Sequence, residues 1–306
     1  KRKDGIIVRG AKNHITMAPH ADEIIAIPTR VMTEEEGEWA VAFAIPADTE
    51  GVYLVSRASS PRPRQRLAAP IAGHGWADSF IVFDDVFVPW DRVFMCGERQ
   101  FAGRLALLFA LFHRHSYTGC KPALTDVIMG MTALVAEYNG VEKANHVREK
   151  LADMIGVAEL VYAAGVAGGV NGRPASSGTY VPDVIYCNVG RRHAGESTYH
   201  ELDILADIAG GLPATLPLEG DYYNEKTGAL LAKYIMRNPK VPAEHQQRCF
   251  RMIGDYLCSA FGGGWAVAAV HGGGSPIMES IAILGNYDLN AKKNLARHLA
   301  GIPDNK

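Results

Sequence analysis

The stretch Val82-Phe83-Asp84-Asp85-Val86-Phe87-Val88-Pro89-Trp90-Asp91-Arg92-Val93-Phe94, followed closely by helical composition from Phe101, decides the fold class. Before and within it, short runs dense in Val, Ile and Phe recur at 5–8, 24–27, 39–45, 53–56, 80–83 and 86–88. Gly, Pro, Asp and charged turns separate them, which is the pattern of strands. From about Arg99 the period changes. Helices are expected over 101–138, with an interruption near Gly119 and Pro122, and over 144–170, 184–209, 226–234, 244–269 and 288–300. The residues at 171–182, rich in Gly, Pro and Ser, read as a loop. The expected class is α+β: a small β-domain over 1–97 feeding an antiparallel helical bundle over 98–306.

Bulk properties narrow the functions. Of 306 residues, 48% are hydrophobic and 21% charged, the balance of a globular chain and not of a disordered one. The net charge of −2 offers no basic field for nucleic acid or an anionic membrane, so neither is expected as a partner. Apolar runs such as 105–112 and 260–270 stop short of the roughly 18–20 residues that span a bilayer. No signal peptide opens the chain, and a cytoplasmic setting is the default expectation. Five cysteines (Cys96, Cys120, Cys187, Cys249, Cys258) form no CxxC pair, so any metal site must be assembled from distant segments or completed from elsewhere. The chain starts at Lys1 and enters a strand almost at once, which leads us to expect more protein upstream or on a partner.

The chemistry concentrates in His113-Arg114-His115-Ser116-Tyr117-Thr118-Gly119-Cys120-Lys121. At about 100° per residue, positions i, i+4 and i+7 of a helix lie within about 60° of one another. His113, Tyr117 and Cys120 then share a face, with Lys121 at its edge. Imidazole and thiolate both ligate iron, and a phenol and an ammonium beside them move protons or orient a ligand. The same spacing also suits a buried helix carrying an unrelated His and Cys. Three further segments stand out. Lys12-Asn13-His14-Ile15-Thr16 ends a strand in a hydroxyl that a flat heterocycle could meet. Asp207-Ile208-Ala209-Gly210-Gly211 either lets backbone approach a ligand or caps a helix. His271-Gly272-Gly273-Gly274-Ser275-Pro276-Ile277-Met278-Glu279 sets a carboxylate near a helix start, either as a base or as a charge favoured by the helix dipole. The loop Ser59-Ser60-Pro61-Arg62-Pro63-Arg64 reads as a solvated surface loop.

Together these segments resemble the acyl-CoA dehydrogenase superfamily, and more narrowly the branch holding 4-hydroxybutyryl-CoA dehydratase, vinylacetyl-CoA isomerase and the 4-hydroxyphenylacetate 3-monooxygenases. The openings Asp4-Gly5-Ile6-Ile7-Val8-Arg9-Gly10-Ala11-Lys12 and Ala21-Asp22-Glu23, with the stretch 82–94, are similar to that branch's central β-barrel domain. The resemblance covers nearly the whole chain and leaves out the branch's N-terminal helical domain.

The H-x6-C spacing of His113 and Cys120 resembles the dehydratase and not the monooxygenases. The resemblance implies FAD and a [4Fe–4S] cluster held by His113, Cys120 and two cysteines of the N-terminal domain. It places the cluster-proximal tyrosine at Tyr117, a lysine at Lys121, flavin contacts at Thr16, His14 and Lys121, and a pair of glycines facing a neighbouring subunit's cofactor at Gly210 and Gly211. It puts the carboxylate base at Glu279 and a second carboxylate at Asp78. The implied reaction is dehydration of 4-hydroxybutyryl-CoA to crotonyl-CoA, with vinylacetyl-CoA isomerisation. It would run through a flavin-generated radical that acidifies the β-hydrogen, with cluster iron as Lewis acid. Implied partners are an acyl-CoA substrate and either copies of the chain in a homotetramer or a chain carrying the N-terminal domain. The alternatives are a flavin-dependent phenol monooxygenase on the same scaffold, and a non-catalytic subunit.

Overall fold

The computed structural model describes residues 1–61, 63–274 and 276–303; Arg62 of the polar loop and Ser275 of the glycine run lie outside the described residues. Six strands come first: β1 (Gly5–Thr16), β2 (Glu23–Ala26), β3 (Val41–Pro46), β4 (Val52–Ser59), β5 (Trp76–Pro89) and β6 (Val93–Cys96). They make two antiparallel three-stranded sheets, ordered β1-β5-β4 and β2-β3-β6. No closed barrel forms among the described residues, which corrects the expected barrel. The sheets instead share one core, in which Ile6, Ile81 and Phe83 meet Ile24, Phe43 and Ile45. The Phe43 and Phe83 rings pack edge to face at 5.5 Å. Face-to-face packing removes these side chains from water without any need to join the sheet edges.

Strand β5 is continuous where two short strands were expected. A β-bulge at Asp84-Asp85 absorbs the acidic pair: the register jumps between Val8 and Gly10 on β1, and Asp85 takes a φ of 53°. Strand β1 ends under local strain, with positive φ at His14 (61°) and Met17 (65°) on either side of Thr16.

The helices are α1 (Ala102–Asn139), α2 (Asn145–Val170), α3 (Val184–Ala209), α4 (Leu212–Thr215), α5 (Glu219–Tyr222), α6 (Gly228–Tyr234), α7 (Ala243–Leu257), α8 (Ala260–His271), α9 (Pro276–Asn286) and α10 (Leu289–Leu299). A two-stranded ribbon, β7 (Arg173–Pro174) with β8 (Tyr180–Val181), occupies the loop expected between α2 and α3. Helix α1 runs unbroken through Gly119 and Pro122, against the expected interruption. Pro122 leaves the Thr118 carbonyl without its usual helical donor, yet packing outweighs that loss. At Thr118 three helices converge: a Cβ on Gly165 of α2 would lie 2.3 Å from the Thr118 hydroxyl, and one on Gly190 of α3 would lie 2.9 Å from its methyl. The expected single helix over 244–269 is two helices. Ser259 caps α8 by accepting from the Gly262 N–H, and Gly262 is tolerated because any Cβ there would sit 1.9 Å from the Tyr256 carbonyl. Helix α2 has the length and a window of mean hydropathy 1.5 that suffice by composition to cross a bilayer, longer than the apolar runs noted above. In this fold it packs along α1 and α3.

The core of the helical part contains Ile128, Met131, Val135, Leu205, Phe250 and Ile253. Beside it the α1–α3 seam is polar. Lys121 and Glu201, both fully buried, form an ion pair, with Lys121 Nζ donating to the Thr125 hydroxyl (2.8 Å) and that hydroxyl to Glu201 (2.9 Å).

The polar loop between β4 and β5 is not solvated as expected. Arg64 pairs with Asp255 of α7, the two side chains 3% and 2% exposed. Glu219 of α5 accepts the backbone N–H groups of Gln65 (2.8 Å), Arg66 (2.6 Å) and Leu67. Arg248 of α7 donates to the carbonyls of Arg66 and Ala68. The charge of Arg64 is therefore spent on α7.

Two outcomes follow. Glu219→Ala removes a carboxylate from three backbone donors; since the group is partly exposed, the loss is on the order of 1–2 kcal/mol, read by urea denaturation, with faster hydrogen exchange at Gln65, Arg66 and Leu67. Glu201→Gln strands the Lys121 ammonium in the interior and destabilises by about 3–5 kcal/mol, whereas the double change Lys121→Met with Glu201→Leu recovers most of that in the same measurement.

Candidate active site

The buried stripe of α1 reads Arg114, Tyr117, Thr118, Lys121, Thr125, at the 3–4-residue spacing of one helix face. His113 and Cys120 flank that stripe. The single face expected for His113, Tyr117 and Cys120 is thus graded: Tyr117 is buried, His113 half-buried and Cys120 exposed. The Tyr117 hydroxyl donates to the Ala269 carbonyl of α8 at 2.9 Å, and burial pushes its phenol up to about 12. The Cys120 Sγ–H points back along α1 to the Tyr117 carbonyl at 3.6 Å.

Arg191 of α3 binds these pieces together. Fully buried, it lies over the Tyr117 ring at 4.3 Å and donates to the Val270 and Gly272 carbonyls, each at 2.8 Å. Its Nε is 3.7 Å from Oε1 of Glu279, which is 1% exposed on the first turn of α9. Burial pushes the Glu279 carboxyl up, against the pull of Arg191 and Arg114. Arg114 holds the other side of the α8–α9 loop, donating to the Gly273 carbonyl (3.0 Å) and to Asn188 (2.7 Å). Gly273, at φ 81°, lets the His113 ring close in: a Cβ there would be 2.9 Å from Nδ1.

Across from α1, the Thr16 hydroxyl donates to Asp78 at 2.6 Å, an aligned pair on β1 and β5. Thr16, Tyr117, Leu124 and Trp265 line a cleft of ≈ 150 Å³, floored by Ala268 and Ala269. That volume takes the edge of a ring system, not a whole dinucleotide.

The fold therefore joins Thr16, Asp78 and Tyr117 at one cleft, and His113 and Glu279 around Arg191 and Arg114 just beyond it. Other residues singled out in the sequence sit apart. Lys121 is held behind Tyr117 by Glu201. His14 is exposed on the strained end of β1. Gly210 caps α3 at φ 68°, its N–H on the Ala206 carbonyl, and both Gly210 and Gly211 are exposed with open space where a Cβ would go.

A ligand to iron must offer a free lone pair. Burial, then Arg191 and Arg114, push the His113 imidazolium down, so the ring is neutral and competent. Its Nδ1 is buried without a hydrogen-bond partner. Burial pushes the Cys120 thiol up, so metal would have to displace its proton. No group of three or more His, Cys, Asp or Glu suited to a metal occurs among the described residues. Among the described residues His113 and Cys120 offer two donors of iron-ligating type, and they form no group of three with another His, Cys, Asp or Glu.

Sequence reading missed Arg191, Glu201, Arg114 and Trp265. The first two carried a signal: Cys187, Arg191, Ala194, Thr198, Glu201 and Leu205 recur at helical spacing, so both charges fall on the buried stripe of α3.

Residues 1–95 match the family "4-hydroxyphenylacetate 3-hydroxylase N terminal" and residues 102–301 match "4-hydroxyphenylacetate 3-hydroxylase C terminal". The chain is 37% identical over 315 residues to the 4-hydroxybutyryl-CoA dehydratase/vinylacetyl-CoA-Delta-isomerase of Clostridium aminobutyricum, covering 99% of this chain and 64% of that protein. The solved oxygen-tolerant archaeal 4-hydroxybutyryl-CoA dehydratase from N. maritimus superposes with a TM-score of 0.94 at 36% identity, over 100% of this chain and 62% of that one. The oxygenase component of 4-hydroxyphenylacetate 3-monooxygenase complexed with FAD gives 0.88 at 26% identity, over 98% and 63%. A glutaryl-coenzyme A dehydrogenase, at a TM-score of 0.55 and 14% identity, shares the fold alone. The chain spans just under two thirds of the length of the dehydratases and the monooxygenase it matches. With both of its parts matched in order, the chain belongs to the 4-hydroxyphenylacetate 3-hydroxylase family.

Proposed function

We propose that this protein is a 4-hydroxybutyryl-CoA dehydratase with vinylacetyl-CoA isomerase activity, using FAD and a [4Fe–4S] cluster, in which residues 1–97 and 98–306 act as separate domains. One observation carries the reading: the helix bearing the H-x6-C pair also delivers Tyr117 to the cleft where β1 ends in Thr16. The 37% identity to the Clostridium aminobutyricum dehydratase supports it.

Thr16 and His14, at the strained end of β1, would meet the flavin, and His113 and Cys120 would hold iron. Because Nδ1 of His113 is buried against Gly273, Nε2 is the nitrogen left to bind. When bound, these groups supply one-electron transfer and Lewis acidity. The chain's own residues move the protons. Glu279, buried and raised toward neutrality, takes a proton from one end of the acyl chain. His113, held neutral, would accept another on the leaving-group side through Nε2 only when that nitrogen is released from a metal. The Tyr117 O–H already donates to Ala269, so its oxygen is free to accept from the substrate hydroxyl and orient it. Lys121, paired with Glu201, fixes the α1–α3 seam behind that phenol. Asp78 orients the Thr16 hydroxyl by accepting its hydrogen bond.

A second reading has one observation in its favour, that both family matches are to 4-hydroxyphenylacetate 3-hydroxylases. On that reading the protein hydroxylates a phenol with reduced flavin and needs no iron.

Anaerobic purification should yield flavin with about four irons and sulfides per site. His113→Ala and Cys120→Ala should each lose most of the iron, and unchanged iron in both rules out the ligand assignment. Turnover of 4-hydroxybutyryl-CoA to crotonyl-CoA should fall about 10²–10⁴-fold in Glu279→Gln. Iron-free protein that hydroxylates 4-hydroxyphenylacetate and leaves the thioester untouched would establish the monooxygenase instead.

A further inference from the structure

Three polar atoms around the loop that joins α8 to α9 are buried and lack any hydrogen-bond partner: His113 Nδ1, Arg191 NH1 and Glu279 Oε1. Such atoms are costly in an interior unless something organises them. Arg191 is the one group that reaches every side of this region. It touches the phenol ring from α1, both carbonyls at the end of α8, and the carboxylate on α9. We propose that Arg191 is the positioning residue of the site: one buried guanidinium that fixes the Tyr117 ring, the α8–α9 loop and the Glu279 carboxylate in a single frame, and supplies that carboxylate's counter-charge. This rests on the proposed role of Glu279 as the proton acceptor.

The geometry requires arginine. A planar fork donates along two directions to Val270 and Gly272 while presenting a flat cationic face to Tyr117. A lysine places one point charge and cannot do both. The neighbouring α3 turn leaves room for the fork: a Cβ on Gly195 would lie 2.6 Å from Arg191 NH1. The charges facing Glu279 are Arg191, Arg192 and Glu196 from α3 and Arg114 from α1. Of these, Arg191 is the one within ion-pair distance, and Arg114 is engaged with Gly273 and Asn188. Desolvation favours a neutral carboxyl, so without Arg191 the group would hold its proton and could not accept another.

The test reads the carboxyl itself, by isotope-edited infrared titration of protein labelled at glutamate, with Glu279→Gln assigning the band. In Arg191→Met the Glu279 midpoint should rise by on the order of 1–3 pH units. Arg191→Lys should restore most of that midpoint while leaving the near-ultraviolet signature of Tyr117 altered, since charge returns without the fork. Arg114→Met should shift the midpoint less than Arg191→Met does. An unchanged midpoint in Arg191→Met, or a larger shift in Arg114→Met, overturns the proposal. If Arg191→Met does not fold, Arg191→Gln also removes the charge and is judged by the same two outcomes. None of these readings depends on turnover, so failure of the dehydratase assignment would leave the titration interpretable.

Discussion

A guanidinium with no exposed surface sits where α1, α3, α8 and α9 meet, and the arrangement of the site depends on it. Burying a charge is costly unless geometry and hydrogen bonds compensate. Arg191 meets that demand with two backbone carbonyls, an aromatic face and a carboxylate. Two of those compensating groups, Tyr117 and Glu279, are ones that the proposed chemistry would use. Their positions are therefore coupled: displacing one leaves the charge less well satisfied and disturbs the others.

The wider α1–α3 seam follows the same pattern. Arg114, Lys121, Thr125, Asn188, Arg191 and Glu201 are all buried there, beside an apolar core that would have tolerated hydrocarbon. Polar groups in an interior favour one arrangement strongly, because any slip of register leaves them unpaired. Glycines at 165 and 190 bring the three helices close enough for that pairing. The seam thus exchanges part of its hydrophobic stabilisation for fixed orientation of Tyr117 and His113.

Much of this was legible in the residues. Runs of Val, Ile and Phe located β2 to β5 and the start of β1 but not β6, and helical spacing placed α2 and α3 nearly residue for residue. The misreadings have physical causes. Pro122 signals a break, but α1 continues through it, with Thr118 wedged between Gly165 and Gly190. The Asp84-Asp85 pair looks like a turn, yet a bulge carries β5 through it. Ser259 ahead of Gly262 is a weak cap signal inside a long apolar pattern, so α7 and α8 read as one. The ion-pair partners of Arg64, Lys121 and Arg191 lie 80 or more residues away, and local pattern is blind to contacts of that span. Sequence reading therefore found the chemical groups Tyr117, His113 and Glu279 but not the cation that joins them.

The carboxylate of Glu219 closes over three successive peptide N–H groups of the β4–β5 loop, and Arg248 and the Arg64–Asp255 pair fasten the same loop from the other side. A loop anchored at so many points cannot serve as a swinging gate. Any movement of that loop has to break those contacts first, so it travels with the two helices that hold it.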